Sequence, residues 1–325
     1  MSLKAKIKGN PMLPLFWMRS VILRKLIFPL IFRNRNGFCV FDEEWGSLII
    51  LDACRYDTFE RYYRDYIEVG KLEKRRSRGT ETTSFLIENF GNAYHPDIVY
   101  VTANPFVDKL LKDRFYRVIP VWKFGWDDRY NTVLPSTMYA YTLQAIKKFP
   151  SKRFIVHFIQ PHFPFIALTI TDQTFKELRD STLENRDPNI VNTHKALHRI
   201  SSLDFYVKFE EKLLIKAYEA NLKIALPYVA RLIDLLPGRT VVTADHGETF
   251  GERLHRFVPL KVYGHPPNVP MSELTEVPWL IVDADEKKDV DLNKELAKVR
   301  KTVLKRIQEK EIIKSIVANK FKRRS

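Results

Sequence analysis

The sequence predicts an α/β protein with a doubly wound, mostly parallel sheet and helices on both of its faces. From about Phe38 onward, short runs rich in Val, Ile, Leu and Phe alternate with helical patterns. Polar residues scarcely interrupt these runs, as expected of strands that are covered on both faces. At 325 residues, the chain is long enough to bury the core of such a domain.

Five runs are predicted as strands, and five stretches as the helices between them. The strands are Ser47–Leu51, Ile98–Thr102, Phe154–Ile159, Thr240–Thr243 and Trp279–Val282. The helices are 54–66, 82–90, 105–113, 136–148 and Leu203–Leu236. Pro227 is expected to kink or split the last helix, because proline lacks a backbone donor and clashes with the preceding turn.

The net charge of +15 is concentrated at the two ends of the chain. Residues 1–36 contain eight Lys/Arg and no Asp/Glu, whereas residues 286–325 contain 14 Lys/Arg and six Asp/Glu. The chain is therefore divided into a basic amphipathic segment (1–37), a nearly neutral domain (38–285) and a basic helical tail (286–325). Nucleic acid is disfavoured as a partner, since enzymes that bind it more often carry the excess charge in the body.

The apolar stretch from Met12 to Phe32 does not predict a membrane span, because Arg19, Arg24 and Lys25 interrupt it. It also lacks the charged start and the cleavage site of a signal peptide. The stretch either lies on an anionic membrane, with Trp17 among the headgroups, or packs on the body or on a partner subunit. Without an export signal we expect a cytoplasmic location, peripheral on the inner membrane face if the basic ends bind there.

Three predicted strands are followed by carboxylate or histidine side chains. Asp52 follows the first strand, His162 lies after the third, and Asp245 and His246 follow the fourth. In a doubly wound sheet the active site lies beyond the carboxyl ends of the strands. Carboxylates and imidazoles bind divalent cations, so these strand ends predict a metal site. In the less favoured alternative, Asp245 caps the next helix and His246 is a satisfied core residue.

The motifs also resemble a known family. Leu-Asp-Ala-Cys-Arg at 51–55, Thr-Ala-Asp-His-Gly-Glu at 243–248, Gly-His-Pro at 264–266 and Glu-Val-Pro-Trp at 276–279 are similar to motifs of the alkaline phosphatase superfamily. They follow the order found in its sulfatase-like and phosphotransferase branches, from about residue 46 to 283. The resemblance implies an alkaline phosphatase-like fold.

The resemblance also implies which residues form the site. Asp52, Asp245 and His246 stand where the family binds its metal ion. His162 matches a substrate-contacting histidine of the lipoteichoic-acid-synthase and phosphoethanolamine-transferase branches. His265 matches a later histidine that completes the metal or substrate site.

The resemblance places a Thr, Ser or formylglycine nucleophile at the start of the helix after the first strand. The family pattern Ser-x-Gly-x-x-Thr aligns Thr82 with this nucleophile, which also coordinates the metal, while Thr80 and Thr83 remain alternatives. A threonine hydroxyl needs metal coordination to become a good nucleophile. Cys54 lacks the Cys-x-Pro-x-Arg context of a formylglycine precursor, which favours phosphate over sulfate esters.

We expect one divalent cation, which is Mn, Zn, Mg or Ca, and leave a second ion open. The middle of the chain offers His157 and His162 without an obvious Asp partner, and His157 is expected to be a satisfied core histidine. Arg76 and Arg78 either bind the ester anion or are solvated loop charges. His255 receives no role.

Together these features predict a metal-dependent hydrolase or transferase of phosphate, or less favourably sulfate, esters. Thr82 would attack to give a covalent phospho- or sulfo-threonine, and His162 or His265 would steady the anion and protonate the leaving group. The basic ends favour a lipid-linked or cell-envelope ester as substrate. Two other functions stay open, namely a non-catalytic metal-containing protein that binds an anionic glycan or lipid headgroup, and a nucleic-acid phosphodiesterase.

Overall fold

The computed structural model describes residues 37–91, 93–166, 210–255, 258–269 and 271–301. Its strands are β1 (Ser47–Leu51), β2 (Lys71–Arg76), β3 (His95–Thr102), β4 (Phe115–Pro120), β5 (Trp126–Asp127), β6 (Thr132–Val133), β7 (Arg153–Phe158), β8 (Thr240–Thr243), β9 (Thr249–His255), β10 (Val258–Gly264) and β11 (Glu276–Val282). Its helices are α1 (Tyr56–Tyr62), α2 (Thr82–Phe90), α3 (Pro105–Leu111), α4 (Val121–Phe124), α5 (Pro135–Lys148), α6 (Glu211–Leu235) and α7 (Ser272–Thr275). A further helix occupies residues 292–301, and short 3-10 helices occupy Tyr63–Asp65 and Ala284–Glu286.

Within the described residues, the main sheet has seven strands in the order β2-β11-β8-β1-β7-β3-β4. Strands β8, β1, β7, β3 and β4 are paired in parallel, and β11 is antiparallel to both of its neighbours. Strands β9 and β10 form a separate antiparallel pair, as do β5 and β6. The predicted mostly parallel sheet is confirmed.

Alternate residues of the central strand β1 pack into two different cores. Ile49 and Leu51 belong to a cluster that contains buried residues of α1, α5 and α6. Leu48 and Ile50 belong to a cluster that contains residues of α2 and α3. Because successive side chains of a strand point to opposite faces, the helices cover both faces of the sheet, as predicted.

The sequence predicts the buried elements better than the edge elements. Strands β1 and β8 and helix α2 have the predicted bounds, and β3, β7 and β11 overlap their predicted ranges. Strand β2, with the sequence Lys-Leu-Glu-Lys-Arg-Arg, is not predicted, because it lies at the sheet edge and is rich in charge. Strands β4, β9 and β10 are also missed.

Helix α6 continues through Pro227, so this residue does not split the helix, and the kink expected as the alternative stays a prediction. The buried side of the helix continues on both sides of the proline, through Leu222, Leu226 and Val229. This packing supports the helix where proline removes one backbone hydrogen bond. Residues 203–209, which were predicted as its first turns, lie outside the described residues.

The predicted terminal segments lie mostly outside the described residues, and the division of the chain at residues 37 and 285 stays a prediction. The described start of the tail forms the helix at 292–301, in which Leu296 is 6% exposed and joins the core. Among the helices that the structure describes, none has the length and apolar character needed to cross a bilayer.

The central strand should dominate the stability of the fold. Ile49 is fully buried, whereas Ile87 is 51% exposed, so Ile49→Ala and Ile87→Ala remove the same atoms from opposite environments. We expect Ile49→Ala to lower the free energy of unfolding by about 2–5 kcal/mol and Ile87→Ala by less than about 0.5 kcal/mol in urea titrations. Equal losses would contradict the assignment of β1 to the core.

Candidate functional site

The active-site candidates lie at the carboxyl ends of three adjacent parallel strands. In the register of the sheet, Ile50 of β1 lies beside His157 of β7 and Thr243 of β8. Asp52 and Asp245 each lie two residues further along their strands and therefore meet at the same edge. The predicted convergence of these strand ends thus follows from the register.

Asp52 and Asp245 are held by hydrogen bonds from neighbouring loops. Oδ1 of Asp245 accepts from the backbone N–H groups of Ala53, at 3.0 Å, and His246, at 2.9 Å. Nδ2 of Asn104 donates to Oδ2 of Asp52 at 2.7 Å. Asp52 is 3% exposed and Asp245 is fully buried, so two carboxylates share a site that is nearly free of solvent.

His157 lies against both carboxylates. Its Nε2 is 4.0 Å from Oδ2 of Asp52 and 3.9 Å from Oδ2 of Asp245, and its Nδ1 is 3.0 Å from the hydroxyl of Tyr100. The histidine is fully buried, and burial lowers its pKa to about 4. The expected core histidine is therefore buried and bonded at Nδ1, but it is not fully satisfied, because Nε2 has no hydrogen-bond partner among the described residues.

A divalent cation fits this arrangement. Among the buried polar atoms of the described residues that have no hydrogen-bond partner are Oδ1 of Asp52, Oδ2 of Asp245 and Nε2 of His157. The three side chains can offer ligand atoms within 4.8 Å of one another. Burial, and then the charge of Asp245, raise the pKa of Asp52 well above its ordinary value. A bound cation would satisfy these atoms and offset the like charges.

His246 is a further candidate ligand for a cation at Asp52 and Asp245. Its Nδ1 lies 2.8 Å from the carbonyl oxygen of Gly247, an acceptor, so Nδ1 carries the proton and Nε2 is free to bind. Nε2 lies 3.4 Å from Oδ2 of Asp245 and 3.7 Å from Oδ1 of Asp52. Burial lowers the pKa of His246 to about 3, which favours the neutral form that binds metals.

The three candidate threonines have different partners. Oγ1 of Thr82, in the first turn of α2, lies 3.3 Å from Nε2 of His246. Thr83 donates to Glu81, the N-cap of the same helix. Thr80 donates to the carbonyl oxygen of Pro266 at 3.3 Å and accepts from the N–H of Asn268 at 2.9 Å. Thr82 is thus the threonine whose hydroxyl contacts the metal candidates.

A second group of side chains lies beside the first. Nδ1 of His265 is 3.2 Å from both carboxylate oxygens of Glu248, and Nε2 of His162 is 4.0 Å from Oε2 of Glu248. The ring centroid of His265 lies 4.9 Å from that of His162 and 4.5 Å from that of His246. His162, Glu248 and His265 could themselves hold a cation. They form a second group of candidate ligands, which could not be recognised from the sequence.

The two histidines of this group differ in protonation. Burial, followed by the charge of His265, lowers the pKa of His162 to about 4. Burial also opposes protonation of His265, but the carboxylate of Glu248 outweighs it and raises the pKa of His265 above its ordinary value. One neutral and one readily protonated imidazole therefore lie side by side, and the second lies beside His246.

Two arginines that precede Thr82 in sequence were candidates to bind the ester anion. Arg78 donates to the carbonyl oxygens of Gly37 and Glu88, at 3.2 and 3.3 Å, so the expectation that its guanidinium binds the ester anion is not supported. Arg76 lies on the edge strand β2. The side chain of His255 lies outside the described residues.

Three residues of the site received no role from the sequence. Glu248 stands within the quoted Asp-His-Gly-Glu motif, and His157 lies on a predicted strand whose end had been inspected. Asn104 lies two residues after β3, so the rule that directed attention to the other strand ends also finds it. Distances among side chains, rather than their types, reveal that the three residues belong to the site.

Known structures of similar fold include bacterial transferases. The chain matches the integral membrane protein lipooligosaccharide phosphoethanolamine transferase A (EptA) from Neisseria meningitidis with a TM-score of 0.48 and 14% identity, covering 78% of this chain and 50% of that chain. It matches the C-terminal periplasmic domain of the phosphoethanolamine transferase EptC from Campylobacter jejuni with a TM-score of 0.48 and 16% identity, covering 74% and 79%. It matches the corresponding Escherichia coli EptC domain, in complex with Zn, with a TM-score of 0.45 and 13% identity, covering 74% and 72%.

These are phosphotransferases of the kind that the motifs resemble. The fold likeness agrees with the resemblance that the motifs show, and at 14% and 16% identity it concerns the fold alone. A scan against protein-family models finds no match, and neither does a search of the curated proteins. This chain spans half the length of EptA, and the similarity concerns the fold, so the roles of residues rest on the geometry above.

The expected cytoplasmic location is wrong. The matched EptC domains are periplasmic, and EptA is an integral membrane protein. The expectation depended on the lack of an export signal in residues 1–36, a stretch that lies outside the described residues. Failure to recognise an export signal in an apolar, basic stretch does not show in which compartment a domain works.

Removing one candidate ligand should weaken metal binding. Asp245→Asn keeps the oxygen that accepts from Ala53 and His246 but loses the negative charge. We expect the affinity for Zn²⁺, measured by competition with a chromophoric chelator, to fall on the order of 100-fold. Asp127→Asn, in the turn where Asp127 pairs with Arg129, should leave the affinity unchanged. Equal affinities of wild type and Asp245→Asn would contradict the site.

Proposed function

We propose that the protein is a metal-dependent phosphoesterase or phosphotransferase in which Thr82 is the nucleophile. The observation that carries the proposal is the position of the Thr82 hydroxyl, 3.3 Å from Nε2 of His246. The same Nε2 lies 3.7 Å from Oδ1 of Asp52 and 3.4 Å from Oδ2 of Asp245. A nucleophile, a cation site and two further histidines then lie together at one edge of the sheet.

The residues of the first group have complementary roles in this proposal. Asp52, Asp245 and His246 hold a divalent cation together with Thr82, and His157 lies close enough to join them. When bound, the cation supplies positive charge for the ester oxygen and lowers the pKa of a coordinated hydroxyl. The start of α2 orients Thr82, because Glu81 caps the helix by accepting from the N–H of Ser84 at 3.1 Å.

The second group, His162, Glu248 and His265, protonates the leaving group in this proposal. Oγ1 of Thr82 loses its proton to solvent and forms the new bond to phosphorus while the bond to the leaving oxygen breaks, which leaves a phospho-threonine. His265, whose protonated form is stabilised by Glu248, donates the proton that the leaving oxygen needs. His162 is neutral and donates Nδ1–H to the carbonyl oxygen of Phe163 at 2.5 Å, which fixes its ring. Water or an acceptor alcohol then removes the phosphoryl group from Thr82.

The nucleophile can be tested among three neighbouring threonines. We expect Thr82→Ala to lower kcat for nitrophenyl phosphate or bis-nitrophenyl phosphate at least about 10³-fold in the presence of Mn, Zn, Mg or Ca. Thr83→Ala serves as the matched control, because it removes a hydroxyl that is bonded to Glu81 and should keep most of the activity.

The outcomes of this panel separate the alternatives. Activity that survives in Thr82→Ala would contradict the assigned nucleophile and direct attention to Thr80. Preference for nitrophenyl sulfate over both phosphates would replace phosphoryl by sulfuryl chemistry. Tight metal binding without turnover on any ester would instead support a non-catalytic binding protein.

We further propose that the substrate is a lipid-linked or cell-envelope phosphate ester and that the basic ends bind anionic membrane. The proposal is supported by the eight Lys/Arg without Asp/Glu in residues 1–36.

Replacing Arg19, Arg24 and Lys25 by Gln should reduce co-sedimentation with anionic liposomes. Replacing three exposed cations of the body, Lys112, Arg114 and Arg117, should not reduce it. Equal binding of the two variants would contradict the proposal.

A further inference from the structure

Asn221 of helix α6 is a fully buried amide whose side-chain hydrogen bonds to described residues go to the loop that carries His162. Its Nδ2 lies 3.3 Å from the carbonyl oxygen of Pro161, 3.1 Å from that of His162 and 2.9 Å from that of Pro164. Its Oδ1 accepts from the N–H of Ile166 at 2.8 Å. One side chain therefore contacts four backbone groups of this loop, and its two amide hydrogens are shared among three carbonyl oxygens.

Tyr218, one turn earlier on the same side of α6, binds a second loop of the site. Its hydroxyl donates to the carbonyl oxygen of Ala53 at 2.6 Å and accepts from the N–H of Arg55 at 2.8 Å. Ala53 has a φ of +60°, in the left-handed region that non-glycine residues seldom adopt, so this turn needs outside support. Asp52 immediately precedes the turn.

The two loops are also joined to each other. The N–H of His162 donates to the carbonyl oxygen of Asp52 at 3.1 Å. Phe163 and Phe165, which flank the bonded carbonyls, pack with Tyr218 in one apolar cluster. Residues three apart on a helix share one side, so α6 presents Tyr218 and Asn221 together to both loops.

We propose that Asn221 and Tyr218 are the positioning residues of the site, with Asn221 setting the place of His162 and Tyr218 that of the Asp52 turn. The inference rests on the proposed function, in which His162 and Asp52 act on the ester and the cation. Neither Asn221 nor Tyr218 contacts the reacting groups, so each acts through the loop that it holds. The contacts of Asn221 lie on both sides of His162 in the chain, so the backbone that carries the imidazole is held where this amide holds it.

Kinetics in two backgrounds test the role of Asn221. Asn221→Ala should lower kcat for bis-nitrophenyl phosphate about 10–100-fold with little change in KM. In a His162→Ala background the same substitution should have less than about a threefold effect, because the group that it positions is gone. A loss of full size in both backgrounds would overturn the proposal and leave Asn221 a structural residue.

Matched controls exclude a general loss of packing. Asn89 of α2 is also a buried amide that joins a helix to a loop. It donates to the carbonyl oxygen of Phe85 in α2 and accepts from the N–H of Val40. Asn89→Ala should keep kcat. Tyr218→Phe removes only a hydroxyl and should lower kcat, whereas Tyr139→Phe, which loses a bond to Glu295, should not. Losses of equal size in the control variants would contradict the proposal.

A measurement without turnover keeps the inference separate from the proposed function. Carbethoxylation of histidines, followed by peptide mass spectrometry, reports the accessibility of His162 relative to His95, which lies at the start of β3. We expect the ratio to rise at least about threefold in Asn221→Ala and to stay unchanged in Asn89→Ala. An unchanged ratio would overturn the inference. If the ratio rises while the wild type hydrolyses no ester, the positioning role stands and the proposed function fails.

Discussion

The burial of two carboxylates at one edge of the sheet is the constraint on which the rest of the site depends. Asp52 and Asp245 lie side by side because β1 and β8 are adjacent, parallel and in register, and the surrounding core keeps water away from them. Like charges in such a place are costly unless a cation or a proton offsets them. Thr82, His157 and His246 surround this pair, and each gains a chemical role only if a cation is bound there.

Holding this arrangement requires elements that are far apart in the chain. Asn104, after β3, fixes one oxygen of Asp52, and helix α6 fixes the turn after Asp52 and the loop of His162. The loop that contains Thr80 is bonded to the segment that follows His265. The site is therefore a junction of loops on a rigid sheet, which is the common way for an α/β fold to carry chemistry.

Much of this could be predicted from the sequence, because buried parallel strands leave a strong apolar signal and ligands must follow their carboxyl ends. That signal located β1 and β8 to the residue and directed attention to Asp52, Asp245 and His246. The charged strand β2 gave no such signal, since an edge strand needs no apolar run. The roles of His157, Glu248 and Asn221 could not be predicted, because they depend on distances between segments, which one sequence does not contain.

Anomalous diffraction from crystals grown with Zn²⁺ would test the central claim most directly. The account predicts an anomalous peak, present above and absent below the zinc absorption edge, within bonding distance of Asp52, Asp245 and His246, of about 2.0–2.2 Å. A peak confined to the group of His162, Glu248 and His265 would contradict the assignment of the cation to the two buried aspartates. A crystal in which zinc occupies neither group would contradict the metal-dependent chemistry proposed for Thr82.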